Sequence, residues 1–295
     1  MGQVLDASDG GRSDAETMRD AWEARAKSDP LYAIDAQRRS WELGDFYSRG
    51  LRLVERIVDP VLKIMSIDPS KLRVLEIGCG MGRLFEGLAD RFAEVWGIDI
   101  SESMIEQGRA QCPVEARWML GDGISLKGVE SESIDHVLSY EVFGHIPQPS
   151  IIQSYFNEMH RVLKPGGTFQ AQLRGGSDST RQEIVRRMPR PLRIASAVVL
   201  RKIDVLPVRG DIDTWLGCVV LPDQALSMIT DIGFVDGTVL AADFTSIVRN
   251  ASPGYWILGR KPALPKPLDR PGSGSDGISD DRDGLYGVEG DSSKS

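Results

Sequence analysis

The first part of the chain has apolar residues at helical spacing. One group recurs every three or four residues, as on one face of a helix: Ala15, Met18, Trp22 and Ala26. The same spacing returns over 51–65, where Pro60 interrupts it. Because these segments precede the first strand-like run, we predict a helical cap or lid over 15–70.

After residue 71 the pattern changes to short apolar runs that alternate with amphipathic stretches. Such alternation is typical of βαβ units, in which a parallel sheet carries helices on both faces. A long interruption over about 174–216 predicts an insert after strand five, followed by a helix at about 222–231. The runs that we predict as strands are 73–77, 93–98, 115–120, 134–140, 167–173, 234–241 and 254–260.

The two ends of the chain differ in composition from the rest. Pro, Gly, Ser and Asp dominate the acidic stretch over 262–295, and few large apolar residues occur there. Such a segment cannot bury enough surface to offset the entropy that ordering costs. The first 14 residues have a similar character. We therefore expect disorder over 1–14 and 262–295, with a main α/β domain over 71–261.

Charge and cysteine content exclude several classes of protein. The 295 residues carry 35 Lys and Arg against 43 Asp and Glu, a formal net charge of −8, which disfavours a nucleic-acid partner. The three cysteines form no CxxC pair, so neither a disulfide framework nor a structural zinc site is expected. The polar N-terminus and the lack of an apolar run of about 18 residues predict a cytoplasmic protein without a membrane partner.

A glycine-rich turn follows the first predicted strand, in the segment EIGCGMGR that begins at Glu76. Its spacing is GxGxG, and Arg83 stands where a dinucleotide-binding motif requires its third glycine. Glycines permit a left-handed backbone and the close approach of a ligand. Glu76 would repel a pyrophosphate, but it suits a ligand with an amine and a positive charge. S-adenosylmethionine, with its sulfonium and α-amino groups, is such a ligand.

Two further acids follow the next two strands. Asp99 ends the second strand, where a carboxylate accepts hydrogen bonds from ribose hydroxyls. Asp122 follows the third strand, where it can accept from an exocyclic amine such as adenine N6. The alternatives are structural: Glu76 could cap a neighbouring helix, and Asp122 could make an Asx-turn.

Four segments in this order, EIGCGMG, GIDIS, GDG and MHRVLKPGGTF, resemble the class I S-adenosylmethionine-dependent methyltransferases. The resemblance is close over about 72–173 and looser to residue 260. It implies a doubly wound, mostly parallel seven-stranded sheet whose last strand is antiparallel, with the cofactor over the carboxyl ends of the first strands. It also implies these cofactor-binding residues: Glu76, Gly78, Cys79, Gly80, Gly82, Asp99, Ile100, Met104, Asp122, Gly123 and Tyr140. Ile100 and Met104 could instead be plain core residues.

Two residues after the fourth strand are candidates for acid–base chemistry. His145 lies in the loop at the productive edge, where a neutral imidazole could deprotonate an acceptor. Its alternative role is to hold that loop. Glu141 is the second candidate for a catalytic role. The other two histidines, His136 and His160, are expected to be structural, and no pattern indicates a metal site.

The predicted insert contains a strongly basic segment. Seven basic residues and one acid, Glu183, lie over 181–202. The segment is either an anion-binding surface, for an anionic or carrier-bound acceptor, or the solvated face of an amphipathic helix. Three aromatic residues, Tyr32, Trp41 and Trp215, are candidates for shaping or only packing an acceptor pocket.

Together these features predict an S-adenosylmethionine-dependent methyltransferase that acts on a small molecule, at oxygen or else at nitrogen or carbon. The alternatives are an RNA or protein methyltransferase and a non-catalytic cofactor-binding scaffold or regulator. The acidic charge disfavours the first alternative, as does the segment SYEV over 139–142 in place of an Asn/Asp-Pro-Pro-Tyr/Phe motif. Glu76 and Arg83 disfavour a nicotinamide-dependent oxidoreductase.

Overall fold

The structure, a computed structural model, describes residues 8–36, 40–175, 217–241 and 254–264. The basic segment over 181–202, Trp215 and nearly all of the predicted tail lie outside these residues. No helix within the described ranges is long and apolar enough to span a membrane.

In the described part of the chain, four helices precede the sheet: α1 (Ser8–Ser28), α2 (Pro30–Ile34), α3 (Leu43–Ile57) and α4 (Asp59–Ile64). The apolar spacing of α1 corresponds to buried positions, since Ala15 and Ala26 are 3% and 1% exposed. At the start of α2, the Asp29 carboxylate accepts a hydrogen bond from the Tyr32 N–H. Composition predicts disorder over 1–14, but helix α1 begins within this segment, at Ser8. Helical backbone hydrogen bonds can continue into polar residues.

The described residues form a seven-stranded sheet in the order β3-β2-β1-β4-β5-β7-β6. Strands β1 to β5 pair in parallel, whereas β7 runs antiparallel to both β5 and β6. This topology confirms the predicted fold class. The strands are β1 (Arg73–Ile77), β2 (Glu94–Asp99), β3 (Arg117–Leu120), β4 (Ile134–Ser139), β5 (Leu163–Arg174), β6 (Val235–Ala241) and β7 (Gly254–Arg260).

Strand β5 begins earlier than the apolar pattern predicts. The segment over 164–166, which precedes the predicted strand 167–173, lies inside β5 as an irregular stretch with a shifted pairing to β4. Gly166 has a φ of +81° there. The Lys164 ammonium lies 2.9 Å from both carboxylate oxygens of Asp135 on β4. This pairing across strands extends β5 through a sequence that is locally typical of a turn.

Helices cover both faces of the sheet. They are α5 (Phe85–Ala89), α6 (Glu102–Gln111), α7 (Pro149–Val162) and α8 (Pro222–Ile232), together with α3 and α4. Side chains of β1 alternate between the two faces. Leu75 belongs to a buried cluster with Ile152 of α7, and Val74 to a second cluster with Val54 of α3. Strand β1 is therefore buried on both sides, as is typical of a central parallel strand.

The strand order reverses at β1, which lies between β2 and β4. In open α/β sheets, ligands bind beyond the carboxyl ends of the strands at such a reversal. Strand β1 ends at Ile77 and β4 at Ser139, so the glycine-rich turn and the loop after β4 lie at the same edge. The candidate site is therefore at this edge.

Candidate functional site

The glycine-rich turn has a left-handed backbone. The φ angles of Gly78, Gly80 and Gly82 are +72°, +54° and +75°. A Cβ on Gly78 would lie 2.2 Å from a methyl group of Val142. The need for glycine therefore comes from backbone conformation and from the protein's own packing, as well as from any ligand that approaches the turn.

Glu76 lies at the carboxyl end of β1, directly before this turn. Its side chain is buried, and its Oε2 atom has no hydrogen-bond partner among the described residues. Burial raises the pKa of Glu76 to about 8, although the positive charge of Arg83 acts in the opposite direction. A buried carboxylate oxygen without a partner is a free acceptor for an amine or a cation.

Asp99 joins the end of β2 to the turn. One carboxylate oxygen accepts from the Gly80 N–H at 2.8 Å, and the other from the Ser101 N–H at 2.9 Å. Burial raises the pKa of Asp99, and these backbone hydrogen bonds oppose the rise. Each oxygen keeps a second lone pair, which is available to a hydroxyl donor.

The residues predicted near adenine form a surface between β2, β3 and α6. The Ile100 side chain lies 2.7 Å from the position that a Cβ on Gly123 would take. Met104 of α6 is 2% exposed and belongs to a small core cluster, as the structural alternative predicted. Ile100 is partly exposed and is therefore more accessible to a ligand.

Asp122 makes the Asx-turn that the sequence left as an alternative. Its Oδ1 atom accepts from the N–H groups of Ile124 and Ser125, and its Oδ2 atom accepts from the Ser125 hydroxyl at 2.6 Å. These bonds lower the pKa of Asp122 against an opposing effect of burial. Oδ2 retains a lone pair for a further donor.

The side chains of Tyr140 and Cys79 pack in the interior. The Tyr140 ring stacks on Trp256 with the ring centres 5.8 Å apart, and the Arg83 guanidinium lies 5.7 Å from its centre. Cys79 is 3% exposed and lies against Gly97. Both residues therefore border the turn through their main chains.

Glu141 follows β4 in a left-handed conformation, with φ at +58°. Such a backbone is uncommon for residues other than glycine and is concentrated at functional sites. Its N–H donates to the Gln172 side chain on β5, and its Oε2 accepts from Arg83 at 3.3 Å. Burial raises the pKa of the Glu141 carboxyl, while Arg83 opposes the rise.

His145 ends a 3₁₀ turn over Phe143–His145 in the same loop. Its ring packs edge-on against Trp22 of α1, with the ring centres 5.3 Å apart. The loop after β4 therefore carries both candidates for acid–base chemistry, and α1 contacts it directly.

The sequence predicted the cap but not the polar contacts that join it to the site. Glu23 of α1 accepts from the Ser101 hydroxyl at 2.7 Å and also from Ser103. These hydrogen bonds lower the pKa of Glu23 to about 2, although burial acts against them. Arg19 donates to the Asp122 carbonyl oxygen at 3.1 Å. Arg19 and Glu23 are four residues apart and so lie on the same face of α1, and this spacing was the only sign of these contacts in the sequence.

A partly buried ionic cluster was also missed. Its members, here called the Arg83 cluster, are Asp35, Arg49, Arg83 and Glu141. Arg83 lies 2.9 Å from Asp35, and the two side chains are 7% and 3% exposed. In the sequence, Arg83 served only to exclude a dinucleotide motif, although a charged residue inside a glycine-rich turn was itself a signal.

One of the predicted aromatic residues lies beside this cluster. Trp41 donates its indole N–H to the Asp35 carbonyl oxygen at 2.6 Å, whereas Tyr32 lies on α2 near its start. Among the described residues, no group of three or more His, Cys, Asp or Glu side chains is arranged to hold a metal ion.

These residues fit S-adenosylmethionine. The buried, unpartnered oxygen of Glu76 suits its positively charged methionine part, and Asp99 keeps acceptor capacity for hydroxyl groups. Ile100 offers a partly exposed apolar surface beside Gly123.

Comparison with known proteins agrees with this geometry. Residues 74–167 match a family described as a methyltransferase domain. The chain is 35% identical over 98 residues to a ubiquinone biosynthesis O-methyltransferase of Alkalilimnicola ehrlichii, covering 32% of this chain and 38% of that protein. It is 32% identical over 139 residues to a biotin biosynthesis bifunctional protein of Cellvibrio japonicus, covering 46% of this chain and 27% of that protein.

The match to these relatives is partial, since the chain spans 27% to 38% of their lengths. Among solved structures, the chain resembles the magnesium protoporphyrin IX methyltransferase of Synechocystis PCC 6803 with bound SAH. The TM-score is 0.55 and the identity 16%, over 84% of this chain and 99% of that one. This likeness supports the fold alone. Residues 74–167 therefore match a methyltransferase domain, and the fold around them is that of the class I S-adenosylmethionine-dependent methyltransferases.

Proposed function

We propose that this protein transfers a methyl group from S-adenosylmethionine to an oxygen atom of a small-molecule acceptor. The observation that carries the proposal is Glu76, a buried carboxylate with a free oxygen directly before the glycine-rich turn. A buried carboxylate without a partner is costly as an anion, and a cationic ligand supplies the missing partner. The cofactor supplies an activated methyl group when it is bound.

The cofactor-binding roles follow from position. We propose that Gly78, Gly80 and Gly82 border the methionine part and that Asp99 accepts from the ribose hydroxyls. The residues proposed near the adenine are Ile100, Met104, Asp122 and Gly123. Cys79 and Tyr140 would contribute their main chains, because their side chains pack in the interior.

For the acceptor, we infer that Glu141 is the general base and that His145 holds the loop. Glu141 is 29% exposed at the end of β4, and burial raises its pKa toward the range in which a base is effective. The His145 ring instead packs against Trp22 of the cap. The names of the relatives that are O-methyltransferases support an oxygen acceptor.

Composition supports an acceptor class and a location. The basic segment over 181–202 supports an anionic or carrier-bound acceptor. The three cysteines form no CxxC pair, which supports a reduced, cytoplasmic setting.

Calorimetry with S-adenosylhomocysteine tests the cofactor assignment. We expect micromolar binding, about −8 kcal/mol, and none of NAD. The variant Glu76→Gln should bind the ligand more weakly. Glu94→Gln is the matched control, because Glu94 begins β2 at the opposite edge of the sheet and pairs with Arg73. Binding of NAD in place of S-adenosylhomocysteine would contradict the proposal.

Formation of S-adenosylhomocysteine from S-adenosylmethionine tests the activity. The acceptor panel should contain catechols, carboxylic acids and primary amines, each with and without an additional anionic substituent. We expect turnover with hydroxyl acceptors, and faster turnover with those that carry the additional anionic substituent. Binding of the cofactor without turnover on any acceptor would favour a scaffold or regulator instead.

A further inference from the structure

The helical cap lies over the same edge of the sheet as the candidate cofactor site. The Ile34 side chain of α2 lies 2.8 Å from the position that a Cβ on Gly80 would take. Ala15 and Met18 of α1 each lie 3.4 Å from the corresponding position at Gly123. The cap thus covers the site from the glycine-rich turn to the proposed adenine end. A ligand that lies along this edge would therefore contact the cap.

A single buried guanidinium connects three parts of this edge. Arg83 follows the glycine-rich turn, and its Nη1 atom lies 2.9 Å from Oδ2 of Asp35, the residue directly after α2. Its Nη2 atom lies 3.3 Å from Oε2 of Glu141, at the end of β4. Arg49 of α3 also donates to Asp35, at 2.6 Å. The cap, the turn and the acceptor side therefore share one ionic contact.

We propose that the Arg83–Asp35 pair is a latch that holds the cap closed over the cofactor site, and that Arg83 is thereby a positioning residue. Opening the cap separates Asp35 from Arg83. Separating this buried pair is unfavourable because each group then keeps only one of its two ionic partners, Arg49 for Asp35 and Glu141 for Arg83. The proposal rests on the proposed function only for the identity of the ligand that the cap admits.

The contacts of Arg83 indicate a positioning role. Its Nε atom is buried and has no hydrogen-bond partner among the described residues. Both terminal nitrogens of Arg83 already donate to carboxylates. Arg83 is therefore best explained by what it holds in place.

Hydrogen exchange of backbone amides tests the latch without any ligand. The variants are Asp35→Asn and Arg83→Lys, which keep size or charge but weaken the pair. A lost charge-assisted hydrogen bond changes an equilibrium constant roughly tenfold to hundredfold. We expect exchange in α1 and α2 to accelerate by that factor, while β1 and β4 keep their protection. The matched control is Asp59→Asn, which weakens the Asp59–Arg91 pair at α4 and should leave α1 and α2 unchanged.

Binding kinetics of S-adenosylhomocysteine provide the second test, followed by intrinsic tryptophan fluorescence, to which Trp22 and Trp41 contribute. A latch slows both entry and exit, so the latch variants should raise the association and dissociation rates together, each roughly tenfold or more. The dissociation constant should change little. Unchanged exchange in the cap, or a faster dissociation alone with weaker binding, would overturn the proposal. If the wild type binds no S-adenosylhomocysteine, the proposed function fails, and the exchange experiment still decides on the latch.

Discussion

Two glutamates lie near the carboxyl ends of the neighbouring strands β1 and β4, at the same edge of the sheet but in different environments. Glu76 is 4% exposed, and one of its oxygens has no partner among the described residues. Glu141 is 29% exposed and accepts a hydrogen bond from Arg83. Burial raises the pKa of both carboxyls. Glu76 therefore lacks a partner that a cationic ligand would supply, whereas Glu141 already has a cation beside it.

The largest effect is expected at Glu141. If it is the general base, Glu141→Gln should lower turnover by roughly 10²–10⁴-fold and leave binding of S-adenosylhomocysteine unchanged. His145→Ala should have a much smaller effect on steady-state turnover. Glu132→Gln is the matched control, because Glu132 also has a positive φ and pairs with a lysine, Lys261. A severe loss in His145→Ala with near-normal turnover in Glu141→Gln would reverse the two roles.

The next largest effect is expected in the pH dependence of the free energy of unfolding, to which Glu76 contributes. Its pKa is about 8 in the folded protein against 4.5 for an unperturbed glutamate, so the folded state retains a proton that the unfolded state loses. The stability contribution of Glu76 should therefore fall as pH rises from 4.5 to about 8, by at most about 1.4 kcal/mol per pH unit.

Glu76→Gln removes this dependence, since glutamine does not titrate. Urea unfolding without cofactor, at several pH values, should show that the variant gains stability relative to wild type as pH rises. Glu94→Gln is again the control. A difference between wild type and Glu76→Gln that stays constant over this pH range would show that Glu76 titrates normally.

The comparison predicts a smaller effect on cofactor affinity. Glu76→Gln replaces a charge-assisted contact by a neutral one, so the dissociation constant of S-adenosylhomocysteine should rise roughly tenfold to hundredfold. Calorimetry measures it directly. Equal affinity in wild type and Glu76→Gln would mean that the free oxygen of Glu76 does not face the cofactor.

The smallest effect is a proton released on binding. At pH 7, Glu76 is mostly protonated, because its pKa is about 8. The α-ammonium group of S-adenosylhomocysteine beside Glu76 would lower that pKa, so binding of this ligand should release up to about one proton. Calorimetry in phosphate and in Tris should give different apparent enthalpies, and Glu76→Gln should abolish the difference. Identical enthalpies for wild type in both buffers would contradict the assignment.

The sequence predicted most of the architecture because periodicity is a local property. Strands that are buried on both faces have continuous apolar runs, and the predicted strands agree with the observed ones to within a few residues, except at the start of β5. That start depends on pairing with β4 and on the contact of Lys164 with Asp135, which are distant in sequence. The apolar face of α1 was likewise visible at Ala15 and Ala26.

For the candidate site, the sequence predicted where the residues lie better than it predicted what their side chains contact. Asp99 and Glu76 lie where the strand ends placed them, beside the glycine-rich turn. Asp122 is engaged in a local turn, and the side chains of Tyr140 and Cys79 point into the core. Whether a side chain faces a ligand or the interior depends on neighbours from distant segments, which one sequence does not reveal.

Spacing and residue type encode the α/β class, the strand positions, the glycine-rich turn and the acids at the strand ends, so these features can be predicted from the chain alone. The pairing of Arg83 with both Asp35 and Glu141, and the free oxygen of Glu76, are visible only in the folded protein. Burial and charge pairing depend on contacts among the cap, the turn and β4. These segments are far apart in the chain, and folding brings them together at one edge of the sheet.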